Sequence, residues 1–252
     1  MYSDSVVLRV DDISIVGRLF LPNKQTKYPL VCLCHGVPSG NPPESGDGGY
    51  PALAEKICGE GLGVFFFNFR GAGHSGGNID FLGWTRDLKA VIDYLCDQET
   101  ISSSSLFLTG FSAGAAVSIY VASKDERVSG VAACACPANF GFFTEAKEPQ
   151  AIVDRYREIG VIRDEDFPPS MKEWFDNLGQ ITPSNHIAGI APRPLLLIHG
   201  SDDDIVPLNH ALQLYEKAGK PKKLVILEGA GHKLRRDNRA INAIVEWIQS
   251  GF

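Results

Sequence analysis

The sequence has no apolar run approaching the roughly 20 residues that a membrane-spanning helix requires, so no membrane segment is expected. Its opening residues, MYSDSVVLRVDD, turn polar and acidic within a few positions, without a charged stretch leading into an apolar one, and do not read as a secretory leader. A basic excess is also missing. The 24 Lys and Arg are outnumbered by 30 Asp and Glu, for a formal charge of -6, which excludes the basic stripe of a nucleic-acid binder. The cluster Arg235, Arg236 and Arg239 reads instead as a solvated helix face. No C-x-x-C pair occurs, and the two C-x-C pairs have no histidine cluster beside them, so neither a metal nor an organic cofactor is expected. Cys32, Cys34, Cys134 and Cys136 lie in apolar runs and read as small core residues, which favours a reducing, cytoplasmic setting. Internal repeats and low-complexity tracts are absent.

What is present is the composition of an ordinary globular chain, with 44% hydrophobic and 21% charged residues in 252. That length suits one large domain. Two β-rich stretches, Ser5 to Val10 and Ile13 to Leu21, flank Asp11-Asp12 and predict a hairpin. From Leu30 onward short apolar runs alternate with helical patterns: strands at Leu30 to Cys34, Val64 to Phe69, Leu106 to Thr109, Val128 to Cys134, Pro194 to Ile198 and Leu224 to Leu227. Between them lie helices at Tyr50 to Gly59, Phe81 to Leu95, Ala113 to Ser123, Leu208 to Ala218 and Asp237 to Gln249. The expected class is therefore α/β, a mostly parallel, doubly wound eight-stranded sheet with an antiparallel start. One segment, about 139–184, breaks the rhythm with two helical patterns, Gln150 to Ile159 and Ser170 to Leu178, and reads as a small helical cap inserted into the single domain. The Gly- and Pro-rich stretch from Pro38 to Gly49 reads as a surface loop.

The chemical signal sits at Gly110-Phe111-Ser112-Ala113-Gly114, a G-x-S-x-G between a predicted strand and a predicted helix. A serine on so sharp a turn needs glycine on both sides because the backbone crowds there, and the turn lifts its hydroxyl clear of the sheet. The helix that follows aims its N-terminal N–H groups at developing negative charge. A serine hydroxyl becomes a nucleophile only when a base takes its proton. His232, in Gly229-Ala230-Gly231-His232 after the last strand, stands where α/β sheets place their sites. His74 is its one competitor. His35 and His199, each in a His-Gly pair, read as loop-shaping residues, and His186 and His210 as surface residues. A carboxylate must orient the imidazole, and Asp202, Asp203 and Asp204 all satisfy the chain order Ser, Asp, His.

Four stretches, taken in this order, make the sequence resemble the α/β-hydrolase superfamily, specifically its small esterase-like and serine-aminopeptidase-like members. They are Leu33-Cys34-His35-Gly36-Val37, Phe67-Asn68-Phe69-Arg70-Gly71-Ala72-Gly73-His74-Ser75, the serine motif, and His199-Gly200 through Val206-Pro207 followed by Gly229-Ala230-Gly231-His232. In the family's H-G-x-x-D-x-x-V-P pattern the acid matches Asp203. The resemblance also implies an oxyanion hole from the backbone N–H groups of Val37 and Ala113. Arg70 and Asp87 are expected to form a structural ion pair beside the second motif. The serine at the turn disfavours the dehalogenase version of the fold, which uses Asp there, and the lack of an extended H-G-G-G run departs from one lipase and esterase branch.

Phe140, Phe142, Phe143, Trp174 and Phe175 are candidate pocket residues of the cap, half or more of which are expected merely to pack it onto the body. Acidic Glu145, Glu148, Asp164, Glu165 and Asp166 are expected at a solvated surface. The leading expectation is hydrolysis of a small carboxylic ester through an acyl-Ser112 intermediate. The alternatives are amide or peptide cleavage, or acyl transfer, by the same residues, and a ligand-binding protein in which they are unused.

Overall fold

In the computed structural model, which describes residues 1–23, 27–40, 47–98, 101–141 and 148–251, eight strands pair into one sheet. They are β1 (Tyr2–Val10), β2 (Ile13–Leu21), β3 (Tyr28–Cys34), β4 (Gly63–Phe67), β5 (Ile101–Phe111), β6 (Val128–Cys134), β7 (Leu195–Gly200) and β8 (Lys222–Leu227). Their order across the sheet is β1-β2-β4-β3-β5-β6-β7-β8. The β1–β2 hairpin turns at Asp11 and Asp12, both at positive φ, a conformation that short acidic side chains tolerate. β2 pairs antiparallel with β4, and all pairings beyond β4 are parallel. This is the mostly parallel eight-stranded sheet with an antiparallel start expected from the alternation of strand and helix, and the fold that the resemblance to α/β-hydrolases implies.

Seven helices are described: α1 (Gly49–Gly59), α2 (Phe81–Cys96), α3 (Ala113–Ala122), α4 (Pro149–Glu158), α5 (Met171–Gln180), α6 (Asn209–Lys217) and α7 (Asn238–Gln249). Successive strand residues point to opposite faces, and the core divides accordingly. Leu30, Cys32 and Cys34 of β3 join the apolar cluster that contains residues of α2, α3 and α6, whereas Val31 and Leu33 join the one built on α1 and α7. Coverage of both faces explains why the central strands are apolar throughout rather than alternating. Cys32, Cys34, Cys134 and Cys136 are buried free thiols, as expected of small core residues. Among the described residues no helix is long and apolar enough to cross a membrane.

Between β6 and β7 the chain carries α4, α5 and two short 3-10 turns. Ser170 caps α5 by accepting the Glu173 N–H, as its position before the helical pattern suggests. This segment is bonded firmly to the body. Val161 C=O accepts the Ile79 N–H at 2.8 Å, and Arg163 donates to the Ser75 and Gly73 carbonyls at 2.6 and 3.1 Å. Asn78 Oδ1 accepts the N–H groups of Arg163 and Asp164. Trp174 and Phe175 are buried, with the Trp174 indole N–H on the Ile79 carbonyl, so these two aromatics pack the segment down. Glu148, Asp164, Glu165 and Asp166 are exposed. Phe142, Phe143 and Glu145, and part of the expected Pro38 to Gly49 loop, lie outside the described residues.

Beside β4 the expected Arg70–Asp87 pair forms. The fully buried Asp87 accepts from Arg70 Nη2 at 2.7 Å, from Nε at 3.1 Å and from the Arg70 N–H at 2.9 Å, while Asp11 takes a further Arg70 Nη2 contact at 2.9 Å. Gly83 leaves the room for this guanidinium, since a Cβ there would lie 2.5 Å from Arg70 Cδ. Asp87→Ala is expected to lower folding stability by about 3–5 kcal/mol, because it strands a buried cation. Urea unfolding measures this, and a loss under about 1 kcal/mol would contradict a structural role for the pair.

Candidate active site

β5 ends at Phe111 and α3 begins at Ala113, leaving Ser112 alone to turn the chain at φ 53° and ψ -124°. Such a backbone costs a non-glycine residue about 1–3 kcal/mol. The cost is offset by bonds on both sides: Ser112 N–H donates to Cys134 C=O at 2.9 Å, and Ser112 C=O accepts from Ala115 N–H at 2.9 Å. The flanking glycines answer to contact. A Cβ at Gly110 would lie 2.4 Å from Ala115 Cα, and one at Gly114 would lie 2.3 Å from the His35 carbonyl oxygen. Gly36, from the loop after β3, approaches the same turn, with Phe111 O and Ser112 Cβ each 3.0 Å from where its Cβ would be. Ala113 N–H, at the first position of α3, has no preceding helical carbonyl to bond.

His35 holds that loop. Its Nδ1–H donates to Gly36 C=O at 2.6 Å, and its Nε2 accepts the Phe69 N–H at 2.9 Å, which uses both ring nitrogens in the neutral form. Burial pushes its pKa down to about 4. The histidine is thus a neutral tie between the β3 loop and the chain beyond β4.

Of the three adjacent acids, Asp203 is the one that meets His232. Its carboxylate is sealed from solvent and lies 2.8 and 3.0 Å from His232 Nδ1, while Ile205 N–H and Val206 N–H donate to its Oδ1 at 3.0 and 2.8 Å. Burial alone would raise its pKa, but donors from His199, His232 and Val206 outweigh it and hold the carboxyl well below the usual range. Asp202 instead accepts from Ser201, and Asp204 is exposed. With Nδ1–H donated to Asp203, His232 presents Nε2 as its free acceptor. Gly200 lets the chain after β7 pass beneath the His232 loop, since a Cβ there would lie 2.1 Å from Ala230 O.

Ser112, Ala113, Val37 and His232 line one cavity of about 850 Å³. Its other walls are largely apolar, with Pro137 and Phe140 beyond β6, Ile152 and Tyr156 from α4, and Val206 and Leu234 from the loops around His232. The five residues expected from sequence therefore converge, four on the cavity and Asp203 behind His232. Among the described residues no group of three or more His, Cys, Asp or Glu is placed to hold a metal.

Several sequence expectations need correction. Arg235 and Arg236 lie on a 3-10 turn (Leu234–Arg236), not on a solvated helix face. Arg235 reaches across the cavity rim to Asp47 at 2.7 Å and sits over the Tyr50 ring at 5.6 Å. That pairing holds the Asp47 carboxyl well below the usual range, while burial pushes the Tyr50 phenol up. His210 is half-buried rather than a surface residue, and its Nδ1 accepts the Ala138 N–H at 3.0 Å. His199 does more than shape a loop, because it also approaches Asp203. His74 is exposed and outside the cavity lining. The signal for Arg235 was a cation three residues after a loop histidine, but its partner lies 188 positions away and no local pattern names it.

Comparison with known proteins agrees with this architecture. The profile of the prolyl oligopeptidase family matches residues 54–252. The YfhR protein of Escherichia coli (strain K12) is 28% identical over 169 residues, covering 67% of this chain and 52% of that one, so the chain spans about half the length of that relative. The α/β hydrolase GrgF from Penicillium sp. sh18 superposes with a TM-score of 0.75 at 21% identity over 99% of both chains. The esterase domain of a Rhodothermus marinus protein superposes with a TM-score of 0.73 at 20% identity, covering 100% of this chain and 98% of that one.

The neutral state of His35 generates a pH dependence. Its folded pKa lies below the ordinary 6.5, so the unfolded chain binds the extra proton first. The resulting stabilisation is fully present above pH 6.5 and is lost as pH falls toward 4, amounting to about 3 kcal/mol. Urea unfolding between pH 7 and pH 4 is expected to show a steeper loss for the native protein than for His35→Gln. Equal slopes would contradict the neutral tie.

Proposed function

The chain belongs to the prolyl oligopeptidase family, and from that membership and the cavity at Ser112 we propose that it is a serine hydrolase acting on a small carboxylic ester. The observation that carries this reading is the sealed Asp203 bonded to His232 Nδ1, with the same imidazole facing the cavity that Ser112 lines. In the proposed cycle Ser112 Oγ attacks the acyl carbon as its proton passes to His232 Nε2, and the carbonyl oxygen becomes an oxyanion. Val37 and Ala113 N–H groups receive that charge, each donor being worth roughly 3 kcal/mol. His232 then gives the proton to the departing alkoxide as the C–O bond breaks. Water attacks the acyl-serine, its proton going to His232, and collapse releases the carboxylic acid and restores the Ser112 hydroxyl. Asp203 stays ionised throughout, orienting the ring and stabilising its cationic form.

The segment 139–184 serves in this reading as a cap over the acyl-binding space, since α4 supplies Ala151, Ile152 and Tyr156 to the cavity wall. Walls of this kind favour an apolar acyl group. Peptide cleavage is the second reading, and the family favours it. Recognition of a peptide's amino terminus calls for a carboxylate in the site. Among the described residues Asp47 is the acid lining the cavity, and Arg235 engages it, which supports an uncharged ester over a cationic peptide. The protein's working compartment is proposed to be the cytoplasm, in keeping with its buried free thiols.

Ser112→Ala is expected to cut turnover of short p-nitrophenyl esters by about 10⁴-fold or more and to abolish labelling by a fluorophosphonate probe. Full turnover in that variant would refute the mechanism, and a native protein that resists the probe would favour an unused site. Steady-state assays of p-nitrophenyl esters against aminoacyl anilides separate the two substrate classes: kcat/KM is expected to be higher for the esters, and the reverse order would favour the peptidase reading.

A further inference from the structure

His199 is the penultimate residue of β7 and is fully buried. Its Nε2 stands 2.7 Å from the Val206 carbonyl oxygen and 3.3 Å from Asp203 Oδ2. Both neighbours accept hydrogen bonds and neither can donate one, so Nε2 carries the proton. One N–H is therefore shared between a backbone carbonyl and the carboxylate that orients His232. The arrangement closes a ring: Val206 N–H donates to Asp203 Oδ1, Val206 C=O accepts from His199, and the same His199 nitrogen approaches Asp203 Oδ2.

We propose that His199 is a positioning residue, a second imidazole that locks the Asp203 carboxylate and its turn so that His232 is held in register with Ser112. The proposal rests on the Ser112–His232–Asp203 reading above. Asp203 Oδ1 is fixed by two backbone donors, Ile205 and Val206 N–H, but among the described residues Oδ2 has only the two histidines. Without His199 that oxygen would depend on His232 alone, and the buried Val206 carbonyl would lose its side-chain donor. The carboxylate could then tilt about its last torsion and carry the His232 ring with it, because terminal sp³–sp² torsions have broad wells. The titratable groups around this ring are Asp203, His232 and His210, the last with its Nδ1 already taken by Ala138 N–H. His210 therefore offers Asp203 no replacement through that nitrogen.

Three variants test the assignment with native folding checked by Tm. The amide nitrogen of His199→Gln reaches the place of Nε2, that of His199→Asn reaches only the place of Nδ1, and His199→Leu has no donor. With an ester substrate, Gln is expected to keep kcat within about threefold of the native value, whereas Asn and Leu lose about 100-fold in kcat with KM little changed. A role confined to packing would let Leu serve as well as Gln, and a loss borne by KM would point to the cavity instead; either result overturns the proposal. Equal kcat for Gln and Asn, both high or both low, overturns it as well. Ser112→Ala measured alongside separates the two levels. If that variant retains turnover, the triad reading fails and this proposal with it; if it is inactive while Gln and Asn match, only the His199 assignment fails.

Discussion

The close approach of three chain segments at Ser112 is the constraint on which the remaining structure depends. The end of β5, the first turn of α3 and the loop after β3 meet with no room for side chains at Gly110 or Gly114 and little at Gly36. That contact forces Ser112 into a strained backbone and at the same time brings Val37 and Ala113 to its side. Strain of about 1–3 kcal/mol persists only where the surroundings over-determine it. Here they do: β5 is bonded along both edges, to β3 and β6, and α3 is buried along most of its length.

The loops around this turn are held by polar groups that the core has sealed off. His35 ties the β3 loop to the chain beyond β4, the Arg70–Asp87 pair holds the next stretch, and His199 and Asp203 close the turn after β7. Each is buried, and each bond made in a low-dielectric interior counts for more than the same bond at the surface. The division of labour among the histidines follows from burial. His35 and His199 have their contacts inside the protein, whereas His232 keeps an edge open to the cavity. The segment between β6 and β7 is fastened by Arg163, Asn78 and Trp174 and thereby supplies a fixed wall of Ile152 and Tyr156.

The legible part of the site was the part written as local pattern. Ser112 announced itself by its two glycines and its place between a strand and a helix, and His232 by a loop after the last strand. Arg235 misled, because a cluster of arginines near a helix looks like a solvated face until Asp47 is seen beside it. His210 misled because its partner is equally remote in sequence, the Ala138 N–H that its Nδ1 accepts.

The order of strands and helices, the two-faced core, and the serine, acid and histidine types were determined by sequence alone, because periodicity of two and 3.6 residues and glycine-flanked turns are local properties. The residues alone left three acids open and the family pattern pointed to Asp203, but only the tertiary structure brings that acid to His232. Asp202, Asp203 and Asp204 are chemically identical neighbours, and only the path of the chain after β7 seals Asp203 against His232 while leaving Asp204 in water. It alone also decided the company that acid keeps, since the contact of His199 with Asp203 Oδ2 exists only once the turn through Val206 has closed.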